Sequence, residues 1–314
     1  MDASELLKRY AAGERDFHTV DLSGANLHQV DLSGIALRKA ILCETDLSGA
    51  NLLSADLNGV ILKQANLSGA CLSGAHMVGA NLYEVNLTKA DLSGANMWRA
   101  ALRKILACEA NLYRANLNEA NLSGTNLSGV NLSGATLASA NLNEANLTSA
   151  NLCKTNLNEA KLISANLCGA NLERAELTKV NLTAADLSRA SLNGANLSQA
   201  NLSQVNLSGA NLIGVNLYKA NLIEAQLILT DLRGANLELA ELTRSNLTEA
   251  DLSWAHLSDT NLSAAKLHRA ILKDVNLNSA ILRGADLIDA KLGQVNMDNL
   301  DLNWVIMPDG KIHP

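Results

Sequence analysis

From Phe17 onward the chain follows a fixed five-residue beat: a small apolar residue, Asn or Asp, Leu, and two variable positions. Ala25-Asn26-Leu27-His28-Gln29 and Ala200-Asn201-Leu202-Ser203-Gln204 are examples, and the phase runs without insertion or deletion to about Met307. Of the 57 Leu positions from Leu22 to Leu302, 53 are Leu, the exceptions being Met77, Met97, Ala107 and Met297. A spacing of five fits neither regular element. On an α-helix it would step the leucines by about 140° and spread them over all sides. On a straight strand it would send alternate leucines to opposite faces. One side chain type repeated this faithfully implies one shared core, so the chain must turn once per pentad in a constant sense. Ala and Leu, two apart, then share the inner side of a short extended segment. Asn or Asp points out between them, and the two variable residues form a corner.

Glycine agrees with this geometry. Of the 20 glycines, 17 fall at the second corner residue, where positive φ is expected. Eleven of these lie between Gly24 and Gly134, which predicts corners that change in form toward the C-terminus. Repetition on this scale takes precedence over every other reading. The sequence resembles the pentapeptide-repeat family over about 290 of its 314 residues. The resemblance implies an all-β fold, a right-handed quadrilateral parallel β-helix with four pentads per coil and Leu and Ala inside. Four per coil comes from the family, because the residues show no twenty-residue superperiod. It gives about 14–15 coils and, at ~4.8 Å per coil, a rod of about 70 Å.

The expected organisation is an N-terminal helical cap over residues 1–15, the β-helix over 16–307 and a turn or tail over 308–314. Asp2 with Glu5 reads as a helix start, Leu6, Leu7 and Tyr10 share a face, and Gly13 offers a stop. This predicts a short helix over 3–12, a cap on the first coil, with a partner-binding helix as the alternative. At the other end Trp304, Val305, Ile306 and Met307 are expected to plug the last coil before the turn at Pro308-Asp309-Gly310. The Glu14-Arg15-Asp16-Phe17 opening and the Met307 to Pro314 ending are similar to those of cyanobacterial members. One flaw stands out: Ile105-Leu106-Ala107-Cys108 puts Ala at the Leu position and Leu outside, which predicts a bulge or kink.

Composition sharpens the picture. Apolar residues make up 48% but aromatics only 3%, as a narrow bore filled by Leu and Ala requires. The formal charge of −6 argues against direct nucleic-acid binding. No run approaches the roughly 18 apolar residues of a membrane span, and no signal peptide is apparent, so a cytoplasmic location is expected. The five cysteines all point outward without a Cys-x-x-Cys, and the six histidines are dispersed. No catalytic residues, metal site or cofactor are expected, and the chain is read as not an enzyme.

Two functional readings follow. The first is a rigid protein-interaction scaffold with an unknown protein partner. Its candidate patch is Ile213, Ile223, Ile228, Leu229 and Leu239, outward residues close in sequence, weighed against the ordinary scatter of exposed aliphatics. This patch or a terminal coil also offers a route to a homodimer. The alternative, implied by the resemblance, is a regulator that binds DNA gyrase or another topoisomerase by imitating DNA. Charge counts oppose it. The four inferred faces carry −1, −3, 0 and −3, against about 40 charges on 70 Å of duplex. A local acidic patch at Asp286, Asp289 and Asp298 remains open.

Overall fold

In a computed structural model that describes residues 1–298 and 300–314, the bridged backbone positions settle the number of pentads per coil. Parallel bridges join outward residues twenty apart, as in Asp31↔Asn51 and Asn51↔Cys71, so four pentads make a coil. Each side contributes a single bridged residue rather than an extended strand. The chain forms two compact units, Met1–Asn156 and Leu157–Pro314.

The hydrogen bonds of one pentad show why five residues suffice. Asn51 N–H donates to Val30 O of the coil before (2.9 Å), and Leu52 N–H and Ser54 N–H donate to Cys71 O (2.7 Å) and Ser73 O (2.9 Å) of the coil after. Ala55 N–H closes the corner on Leu52 O at 3.0 Å. The fifth donor, Leu53 N–H, has no backbone partner and goes to Oδ1 of Asn51 at 3.1 Å. The outward Asn or Asp is therefore a structural acceptor, an Asx turn that caps its own corner. The same bond recurs at Asp21–Ser23, Asn131–Ser133 and Asn246–Thr248. Where the outward residue lacks such an oxygen in a turn, an Asn one coil earlier can supply it: Asn58 Oδ1 accepts from Val78 N–H (2.9 Å) and Asn118 Oδ1 from Ala138 N–H (2.8 Å).

The second corner residue has φ between +54° and +68° at every fifth position from Thr19 to Asp289, whether or not it is glycine. The expectation that corners change along the chain is thus corrected. The coil bonds on either side fix one conformation, and Glu, Lys, Arg and Ser are held in it at the same φ as Gly.

In Met1–Asn156, helix α1 (Ala3–Ala11) begins at Asp2, whose Oδ1 accepts from Glu5 N–H at 2.8 Å. Leu6 is fully buried, and Tyr10 donates to Ser33 O at 2.8 Å. Phe17 opens the column of inward residues and is also buried. The flaw at 105–108 is neither bulge nor kink. Leu106 bridges Asn86 and Asn126 in register, and Ala107 N–H reaches Asn126 O at 2.8 Å. Ile105 and Ala107 are both buried, so a large residue in the Ala slot compensates a small one in the Leu slot.

In Leu157–Pro314 the bridges run from Lys161↔Asn181 to Asp286↔Ile306. The corner pattern is interrupted after Lys291, with positive φ at Gly293, and the uninterrupted repeat expected there gives way to an irregular stretch. The last residues form a hairpin: Ile306 pairs antiparallel with Ile312, and Trp304 N–H and His313 N–H bond His313 O and Val305 O. The expected plug is corrected to one residue. Val305 is buried, whereas Ile306 and Met307 are half-buried and Trp304 is 65% exposed. Alternation sends Trp304 into the corner, where the side chain leaves the core.

Candidate interaction surfaces

Because inward positions are filled and most backbone donors are taken, the variable chemistry lies on the outward residues and corners. These stack in columns twenty residues apart, and the columns carry side-chain ladders. Asn111 and Asn131 Nδ2 donate down one column to Asp91 Oδ1 (2.9 Å) and Asn111 Oδ1 (3.0 Å). Charges pair in the same way, as in Arg99–Glu119 (2.7 Å), Lys89–Glu109 (3.7 Å) and Arg244–Glu224 (3.5 Å). Hydrogen bonds from Arg99, and then from Trp98, hold the Glu119 carboxyl below the usual range. Within one side, Arg233 binds Asp231 at 2.6 Å and lowers that carboxyl too.

The five residues read as an apolar patch are not gathered. At four corners per coil, Ile213 and Ile223 stand at opposite corners, as do Ile228 with Leu229 and Leu239. Sequence neighbours within one coil point in four directions, and this corrects the patch. Leu229 is the most exposed at 61%. It borders a depression of about 550 Å³ with Glu249, Arg269, Ile271, Asp289 and Lys291. The acidic patch dissolves as well. Asp289 lies 3.8 Å from Arg269, Asp286 faces His268 at 3.5 Å, and Asp298 falls in the irregular stretch after Lys291.

His28, Ser48 and Asp46 are linked, with His28 Nδ1 2.8 Å from Ser48 Oγ, which donates to Asp46 Oδ1 at 2.6 Å. The order differs from that of a hydrolase triad: the hydroxyl faces the carboxylate, as at Ser253–Asp251 and Ser23–Asp21. It is the repeat's own corner bond with a histidine added. The five cysteines are free thiols. Among the described residues, no three His, Cys, Asp or Glu are placed to hold a metal ion, and no helix is long and apolar enough to cross a membrane.

A coil of four five-residue sides, most of them closed by an Asx turn, defines a class of repeat protein. The chain belongs to the pentapeptide-repeat family, whose pattern it matches in overlapping segments from residue 25 to residue 307. It is 32% identical to HetL, a pentapeptide repeat protein involved in heterocyst differentiation regulation from the cyanobacterium Nostoc sp. strain PCC 7120, with all of both chains covered and a TM-score of 0.24. A pentapeptide repeat protein of the Arabidopsis thaliana thylakoid lumen is 30% identical over 36% of this chain and 69% of its own, with a TM-score of 0.25. QnrB1, a plasmid-mediated fluoroquinolone resistance protein, is 18% identical over 65% of this chain and 89% of its own, with a TM-score of 0.39. No match was found among curated protein sequences.

Proposed function

We propose that the chain is a right-handed quadrilateral β-helix acting as a non-enzymatic, cytoplasmic interaction scaffold for a protein partner. The observation that carries this reading is the division of labour within the pentad. Inner residues and most backbone donors are committed to the fold, while the corner residues vary on a fixed lattice. HetL, 32% identical over both full lengths, is involved in heterocyst differentiation regulation, and a regulatory role for this chain fits that identity. Capture of one defined protein by the native chain, lost when a single column of outward residues is replaced by Asn and Ser, is the expected result. Equal capture by chains altered in each column would overturn the reading.

The gyrase-binding alternative has less support, because its carboxylates are distributed and paired with Arg and Lys along the columns. In a supercoiling assay with titrated protein we expect neither inhibition of gyrase nor protection from quinolones. Either effect at stoichiometric protein would favour the alternative.

A further inference from the structure

The tetrapeptide Ala-Leu-Arg-Lys occurs twice in the same phase, at 36–39 and 101–104. In both copies Ala replaces the outward Asn or Asp, so the first corner residue, Arg38 or Arg103, lacks an acceptor oxygen two residues earlier. At the first copy the next coil supplies a carboxylate. Asp56, bridged to Ala36, serves its own corner with Oδ1 and places Oδ2 2.5 Å from Arg38 Nε. At the second copy the bridged residue is Asn121. Its Oδ1 accepts from Ser123 N–H at 3.2 Å, and its remaining terminal atom is an NH2, which cannot accept from a guanidinium. Arg103 takes no part in the ion pairs found among the described residues.

Beside Arg103 the surface opens into a depression of about 360 Å³ lined by Arg103, Lys104, Ser123, Gly124, Asn141, Asn143 and Glu144. Gly124 leaves the floor bare between Lys104 and Glu144, which are two coils apart in one column. Lys104 Nζ lies 6.0 Å from the centre of the Tyr83 ring and draws the Glu84 carboxyl down, after hydrogen bonds from Tyr83 and Gln64. On the adjoining side Leu106 is 50% exposed, in a column otherwise made of Asn26, Asp46, Asn66, Asn86, Asn126 and Asn146.

We propose that this depression is a carboxylate-binding site, in which a carboxylate from outside the chain takes against Arg103 and Lys104 the place that Asp56 holds against Arg38. Glu144 lies across the depression from the two cations, and Leu106 offers an apolar shelf to an aliphatic group beside the carboxylate. The site stands independently of the scaffold reading, because a small organic acid could supply the carboxylate as well as an acidic side chain of a protein.

The test is titration of the full chain with the blocked peptide acetyl-Ala-Leu-Asp-Leu-Ala-amide, with its Asn counterpart and with succinate. The Asp peptide is expected to bind roughly tenfold or more tightly than the Asn peptide, as charge-assisted hydrogen bonds require. Arg103→Gln is expected to remove that preference. Asn121→Asp, which rebuilds the Asp56 arrangement and needs no change of fold, is expected to do the same by occupying Arg103 from within. Saturation by succinate without peptide binding keeps the site and assigns it to small acids. Native-like binding of the Asp peptide by both variants, or no saturation by either acid below about 10 mM, overturns the proposal. Neither failure would bear on capture of a partner by the other columns.

Discussion

At the scale of the residue, two positions in the pentad explain most of the sequence bias. The second corner is left-handed throughout, and 17 of its occupants are glycines at no steric cost. At Gly134 (φ +66°) an added Cβ would lie 3.4 Å from Arg114 Cγ. Gly134→Ala should lower stability by about 1 kcal/mol in denaturant unfolding. A larger effect would mean that the corner cannot be shared as freely as its neighbours suggest. The outward Asn is legible in the sequence only as a polar residue. Its work as a corner acceptor depends on an N–H two residues on that no periodicity reveals. Inside the bore, Thr45 and Thr125 Oγ1 donate to Leu22 O and Leu122 O, but the buried Ser245 Oγ has no partner. Ser245→Ala should therefore raise the unfolding midpoint, by about 1 kcal/mol of stability.

At the scale of the element, the unit is the coil, and the coil at 101–120 tests how its volume is shared. Ile105→Ala should cost about 2–4 kcal/mol by leaving a cavity, and Ala107→Leu about 1–3 kcal/mol by overpacking. The double variant restores the ordinary Ala and Leu slots and should recover most of both losses. A double-mutant cycle with no coupling would show that the two side chains do not share space. The sequence presents this site as a lost phase, because each position taken alone breaks its own column. The compensation is visible only when both residues face one bore. The five aliphatics from Ile213 to Leu239 mislead in the opposite way. Their closeness along the chain is real, but a quarter turn per pentad disperses them. The ends were partly legible: the helix start at Asp2 follows from local capping chemistry, whereas the hairpin that pairs Ile306 with Ile312 depends on a backbone edge that only the folded coil creates.

At the scale of the whole molecule, stability is assembled from many like local bonds, and pH exposes them together. Asp21 and Asp31 are held below the usual carboxylate range by the backbone N–H and then the hydroxyl of Ser23 and Ser33, and Asp46 by the hydroxyl and then the N–H of Ser48. A carboxyl depressed on folding contributes stability above its unfolded value, about 3.9, and loses it as pH falls through the folded one. The unfolding temperature should stay level above about pH 5 and fall below about pH 4. A decline starting near neutrality would overturn this account. Because the bonds are short and local, added salt should change this profile little.

The bond pattern of a single side also bears on how such a surface can diverge. Since a pentad with an outward Asn or Asp satisfies its own corner and repeats the demands of its neighbours, losing one, such as Asn131–Ala135, leaves the inner file of side chains and the next bridges available again. What changes is phase: within that unit every later column moves round by a quarter turn. Loss of twenty residues would instead shorten the stack and keep each column in line. Deletions of five therefore re-aim a surface, and deletions of twenty resize it. That gives a lineage two separate adjustments, orientation and reach, without revising the code of the core.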